Sequence, residues 1–169
     1  LTREIARRFN FLYREIFPIP DPLLTEVPKL LGIDGRKMSK SYDNAIFISD
    51  RGEVLAKKVG CMFTDPQRIR RTDPGRPEIC NVFTFHKLYA SDEKVQEIDR
   101  DCRGAAIGCT DCKRRLYEEL EQALREVHER QDFYRAHPED VGAVIEDGNG
   151  RAIAIARDTM KEVREAVRV

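Results

Sequence analysis

The chain has 169 residues, 41% of them apolar, with 30 basic and 30 acidic side chains that cancel and five cysteines. That is enough for one real core, or for a small domain plus the edge of another, and it excludes a disordered chain. The charge balance excludes bulk attraction to nucleic acid, so RNA contact would need a local patch. No apolar run approaches the roughly 20 residues that span a bilayer, so no membrane association and a soluble, cytoplasmic protein are expected.

The elements follow in chain order. Leu1, Ile5, Phe9, Leu12 and Ile16 recur at helical spacing and predict an amphipathic helix over Leu1 to Phe17. Pro18, Pro20, Pro22 and Pro28 then forbid helix, so Pro18 to Arg36 reads as irregular chain. Asp50 is placed to cap a second helix, with Glu53 three residues on and Val54, Leu55 and Val59 behind it. TDPGRP, Thr72 to Pro77, is a turn by its chemistry; NVFTFHKLYA reads as a helix that stops before Ser91, which can cap the next. From Cys112 a long helix lines up Leu116, Leu120, Leu124 and Val127, with Glu118, Glu119 and Glu121 on its solvated face. A last helix from about Pro138 is expected to break or kink at Gly148 and Gly150. His86, His128 and His137 have no metal-like spacing and read as ordinary histidines.

Two constellations carry chemistry. In GIDGRKMSKSYDNAI, Gly32 to Ile46, Lys37 and Lys40 stand three apart between hydroxyls. On a helix they would share a face and repel, an arrangement relieved when an anion sits between them. A loop hinged at Gly32 and Gly35 could bring both onto a polyphosphate, with Ser39 and Ser41 as hydrogen-bonding hydroxyls. Apolar Met38 would anchor the loop against protein. By composition alone, a two-lysine loop is most often a solvated basic turn.

The second constellation is Cys80, Cys102, Cys109 and Cys112, spaced C-x21-C-x6-C-x2-C. Four thiolates make a complete tetrahedral set, and the residues alone suit structural zinc or a [4Fe-4S] cluster equally. Cys112 is expected at a helix start, where free amides and Lys113, Arg114 and Arg115 favour thiolate. Cys61 is left out of the set. Arg68, Arg70 and Arg71 in QRIRR are either a solvated run or phosphate anchors for RNA.

KMSKS, Lys37 to Ser41, resembles the second nucleotide-binding motif of class I aminoacyl-tRNA synthetases at all five positions. With TDPQRIRRTDPGRPEICNVFTFHKLYA behind it, the chain resembles the tryptophanyl branch of that family more than the tyrosyl one. The resemblance implies ATP-dependent activation of tryptophan and its transfer to tRNA(Trp), with Mg2+ sharing the phosphate charge. It implies Lys37 and Lys40 as catalytic groups and Lys37, Met38, Ser39, Lys40 and Ser41 as the ATP-binding loop. Arg68, Arg70 and Arg71 become candidate tRNA contacts. It implies a mainly helical chain: residues 1–50 as the closing edge of a Rossmann-type α/β catalytic domain, and residues 51–169 as a helical anticodon-binding domain with a four-cysteine metal site. Some relatives hold a [4Fe-4S] cluster at a cysteine spacing one residue longer between the first two ligands, which favours the cluster over Zn2+. No segment matches the family's HIGH-type motif, so the chain is expected to be the back half of an enzyme, inactive alone, whose dimer forms through the other half. Two other readings use the same residues: a non-catalytic tRNA-binding or metal-stapled helical module, and a tyrosyl relative.

Overall fold

The computed structural model describes residues 1–24 and 30–168; Pro28, within the segment expected to be irregular, lies outside them. The described chain is mainly helical: α1 Thr2–Leu12, α2 Gly52–Gly60, α3 Asn81–Tyr89, α4 Asp92–Arg103, α5 Cys109–Ala136 and α6 Pro138–Val167, with short 3-10 turns at Lys40–Tyr42 and Pro77–Ile79. A lone antiparallel bridge joins Leu31 to Lys37. Two compact units form, Leu1–Thr25 with Phe133–Val169, and Glu26–Asp132. The lysine motif therefore falls in the same unit as α2, α3 and α4, and no unit boundary lies at residue 50.

In the second unit, Leu55, Val59 and Met62 from α2 and its exit, Val82 and Phe85 from α3, and Leu116 and Leu120 from α5 make one core. Each such fully buried side chain contributes about 2 kcal/mol by leaving water. Leu30, Ile33, Met38 and Ile46 pack against it, so the loop is anchored through Met38 as its apolar character predicts. The stripe on α5 differs from expectation at its last position: Leu116, Leu120 and Leu124 are buried, Val127 is not, and His128 takes the fourth place. His128 can do so because its Nε2 donates to the Ile48 carbonyl 3.0 Å away, which satisfies the buried nitrogen.

Two helix boundaries depart from the sequence reading. Asp50 does not cap α2, whose N-cap is Arg51. The Asp50 carboxylate instead accepts from Phe47 N at 2.7 Å and Lys58 Nζ at 2.6 Å. The Gly52 amide at the α2 start is taken by Glu121 Oε1 of α5 at 2.8 Å, so Glu121 is not merely a solvated carboxylate. Ser91 does occupy the N-cap of α4.

In the first unit, α1 stops at Leu12, short of the predicted Phe17, because Asn10 folds the chain back. Asn10 Nδ2 donates to Phe17 O at 2.7 Å, while Oδ1 accepts from Ile16 N at 3.1 Å and Phe17 N at 3.0 Å. This side-chain competition with the helix ladder ends it. α6 runs unbroken through Gly148 and Gly150, against the expected kink. Each glycine costs about 1 kcal/mol in a helix interior, which a 30-residue helix absorbs, and Arg151 pairs with Asp147 across this stretch at 3.0 Å.

Candidate nucleotide loop and thiol cluster

The lysine loop is a knotted turn, not a hinged flap. Met38 N donates to Leu30 O at 3.4 Å and Gly32 N to Arg36 O at 2.7 Å. Ser39 caps the Lys40–Tyr42 turn, its Oγ accepting from Ser41 N, and the two serine hydroxyls lie 2.8 Å apart. Gly35 has φ of +80°, a turn conformation that favours glycine. At Gly32 the missing side chain makes room for Asn44: a Cβ there would lie 2.3 Å from the Asn44 carboxamide. Lys37, Lys40 and Ser41 are exposed, and neither ammonium meets a carboxylate or hydrogen-bond partner among the described residues. Lys37 sits on the bridge and Lys40 at the start of the turn, so the two lysines lie on a loop, as expected.

Asn44, which the sequence reading passed over, is the hub. It is 2% exposed and joins three parts of the loop. Its Oδ1 accepts from Ser39 N at 2.8 Å, and its Nδ2 donates to Asp34 Oδ1 at 2.8 Å and Lys37 O at 3.2 Å. That carboxamide bond, joined by those from Arg36, holds the Asp34 carboxyl down at about 2. Arg36 stacks on Tyr42, 4.8 Å from its ring centre.

The cysteines are brought into one neighbourhood but not onto one ion. Burial raises the thiols of Cys80, Cys102 and Cys112, and other sulfurs of the set raise each further. Yet no three His, Cys, Asp or Glu among the described residues come together as a group that could hold a metal ion, so the metal centre expected at Cys80, Cys102, Cys109 and Cys112 is not supported. Other groups also lie beside these sulfurs. An Arg68 guanidinium nitrogen stands 3.7 Å from Cys102 Sγ and 3.9 Å from Cys109 Sγ. Cys112 Sγ faces the buried His86, 3.5 Å from Nε2.

The protein groups around Cys112 do not by themselves favour the thiolate expected there. Burial, reinforced by Cys80, Cys102 and Cys109, pushes that thiol up to about 12. α5 begins at Cys109, three residues earlier than expected, so the Cys112 amide already donates to Gly108 O at 2.9 Å. Cys80 holds the helix start instead: it is the N-cap of α3, and amides of Phe83, Val82 and Asp65 pull against the burial of its sulfur.

Arg68 is turned inward, donating to Ile107 O at 2.6 Å and Arg71 O at 3.1 Å. Arg70 and Arg71 are exposed and line a cavity of about 310 Å³ with Gly108, Thr110 and Asp111. This segment is fixed by Asp65, 5% exposed, which accepts from Arg76 Nη2 at 2.7 Å, Arg76 Nε at 2.9 Å and Gln67 N at 2.9 Å. The Arg76 guanidinium holds the Asp65 carboxyl at about 2, below its ordinary 3.8. A depressed carboxyl contributes stability that is complete above about pH 4 and lost as pH falls toward 2. Asp65→Asn should therefore lower the urea midpoint at pH 7 and flatten the acid limb of the stability profile between those values. An unchanged acid limb would show that this pair does not hold the segment.

The chain matches the family model described as class I tRNA synthetases (W and Y) over residues 1–125. It is 53% identical over 168 residues to the tryptophan–tRNA ligase of Aquifex aeolicus, covering 99% of this chain and 42% of that protein. With the Thermotoga maritima tryptophan–tRNA ligase it shares 45% identity, covering 99% of this chain and 51% of the relative. The crystal structure of tryptophanyl-tRNA synthetase from Campylobacter jejuni complexed with ADP and tryptophan superposes with a TM-score of 0.77 at 28% identity, covering 99% of this chain and 52% of that one. The chain thus spans about half the length of the relatives it matches.

Proposed function

We propose, for a chain that belongs to the class I tRNA synthetases of the tryptophan and tyrosine family, that it is the C-terminal part of a tryptophan–tRNA ligase. The observation that carries this is an intact KMSKS loop whose two ammonium groups are exposed and unpaired among the described residues, in a chain 53% identical to such a ligase along almost all its length. The complete enzyme would join the tryptophan carboxylate to the α-phosphate of ATP, expel pyrophosphate, and pass the aminoacyl group to a terminal hydroxyl of tRNA(Trp). Lys37 and Lys40 would meet the charge that builds on the departing pyrophosphate, and Mg2+ arriving with ATP would share it. Met38, Ser39 and Ser41 complete the ATP-binding loop.

In this reading residues 1–50 close a Rossmann-type catalytic domain, residues 51–169 form the tRNA-binding region, and the cytoplasmic enzyme dimerises through the part outside this chain. Arg68, Arg70 and Arg71 remain the candidate contacts for tRNA phosphates, Arg70 and Arg71 by their exposure, with Arg68 also turned toward Cys102 and Cys109. A [4Fe-4S] cluster suits the cysteines better than zinc. One Zn2+ needs its sulfurs about 2.3 Å from a single centre, whereas a four-iron cube spreads its thiolates more widely. Amides aimed at Cys80 Sγ and the guanidinium beside Cys102 and Cys109 are the donors that anionic sulfur favours.

The test is exchange of labelled pyrophosphate into ATP. The full-length protein should require tryptophan, and a requirement for tyrosine instead would overturn the assignment. The 169-residue chain alone should give no exchange; turnover by it would overturn the placing of the amino-acid pocket outside this chain.

A further inference from the structure

We propose that Asn44 is the positioning residue of the lysine loop, fixing the separation at which Lys37 and Lys40 are presented to a polyphosphate. The inference rests on the nucleotide-loop reading above and adds a residue outside the KMSKS motif.

The case begins with hydrogen-bond valence. A carboxamide is ambiguous in orientation, but here both ends meet backbone groups with one possible role: the Ser39 amide can only donate and the Lys37 carbonyl can only accept. Oδ1 and Nδ2 are thereby assigned, and the second Nδ2 proton goes to Asp34. One buried side chain thus clamps the backbone of the first lysine to that of the residue preceding the second. The Asn44 carbonyl also accepts from Ile33 N at 2.9 Å, which seats the hub on the strand of chain leading into the loop.

Space confirms the clamp as a designed fit. Gly32 lies against the carboxamide with no room for a methyl group, and its own carbonyl accepts from Asn81 Nδ2 at 3.0 Å. Asn44 is thus packed on one side and bonded on the other, which removes the rotamer freedom that would let Lys37 and Lys40 drift independently. Two exposed like charges gain nothing from each other's company; holding them at a set spacing is useful when one multivalent anion engages both.

An aspartate in place of Asn44 keeps shape and the Ser39 bond but loses both donors and sets a carboxylate against Asp34. Exchanging Asp34 to asparagine at the same time restores the net charge and the bond between positions 34 and 44, but leaves the Lys37 carbonyl without its donor. In the full-length enzyme, Asn44→Asp and Asn44→Ala should each lower kcat of tryptophan-dependent exchange at least about tenfold, with KM for tryptophan within about twofold. The double exchange Asn44→Asp with Asp34→Asn should leave kcat still about tenfold down even where Tm recovers, because the bond to the Lys37 carbonyl is missing in both. In the 169-residue chain, calorimetric titration with inorganic tripolyphosphate should show the same order: weakened by Asn44→Asp and still weakened in the double exchange. If Asn44→Ala fails to fold, the isosteric Asn44→Asp and the double exchange decide alone. The proposal is overturned if kcat is unmoved, if it falls only together with Tm and tryptophan KM, or if the double exchange restores it, which would place the effect on the Asp34 pair and not on the Lys37 clamp. Wild-type enzyme without exchange activity would instead overturn the nucleotide-loop reading itself.

Discussion

Lys40→Ala in the full-length enzyme is expected to slow adenylate formation at least about 10²-fold, roughly 2.7 kcal/mol of transition-state stabilisation, while tryptophan affinity stays near wild type. The structure makes this a clean test. Lys40 is exposed at the start of a 3-10 turn and has no partner among the described residues, so truncating it removes no contact that holds the fold. Surface changes of that kind usually leave stability within about 0.5 kcal/mol, so the loss in rate would report chemistry. A positive charge that meets pyrophosphate only as it departs affects kcat and kcat/KM alike, whereas one gripping ground-state ATP raises KM with kcat unchanged. Single-turnover measurement of adenylate separates the two. A fall in tryptophan affinity with the rate preserved would remove Lys40 from this role.

The parts of this loop legible from sequence were those carried by residue type alone. An isolated methionine in a polar run announces an anchor, and Met38 packs on the core accordingly; two lysines amid hydroxyls alone read as a solvated turn, and only the resemblance points to a polyphosphate. What the sequence concealed was carried by distance. Asn44 looks like any polar residue after a turn until its two ends are seen bonded to Ser39 and Lys37. Gly32 reads as a hinge because glycine in a loop usually supplies freedom, yet here the missing side chain makes room for Asn44. Asp50 satisfies the local rule for an N-cap, but Lys58 reaches it from the last turn of α2, and Glu121, far along the chain, takes the Gly52 amide instead. Local capping rules fail where a tertiary partner competes for the same group. The helices themselves were legible from periodicity, and their ends were misjudged at Phe17 and Cys112 because side-chain bonds from Asn10 and an extra turn before Cys112 have no periodic signature.

The four cysteines are where residue pattern and geometry pull apart, and metal content should resolve them. Anaerobically purified protein is expected to be brown, with thiolate-to-iron absorption and about four irons per chain. The core of Leu55, Met62, Phe85 and Leu116 is built from α2 and its exit, α3 and α5, with Cys80 and Cys112 packed at its edge. Cys102 lies near the end of α4, and beyond α4 the segment carrying Gly75 is tied to it by the Gly75 amide, which donates to Cys102 O at 2.9 Å. Removing a ligand should therefore abolish iron and loosen α4 and residues 65–80, seen as faster amide exchange there, with the core amides still protected. Cys102→Ser and Cys112→Ser should both do this, and Cys61→Ser, on an exposed thiol outside the set, should not. Gly75→Ala is the sharpest variant because it touches no ligand: its Cβ would stand 2.4 Å from Cys102 Sγ, so the sulfur must move and iron loading should fall. Zinc in place of iron would reject the cluster and keep a metal staple. Protein free of both, with the segment from 65 to 80 as protected as the core, would mean that burial and Arg68 alone hold the four thiols.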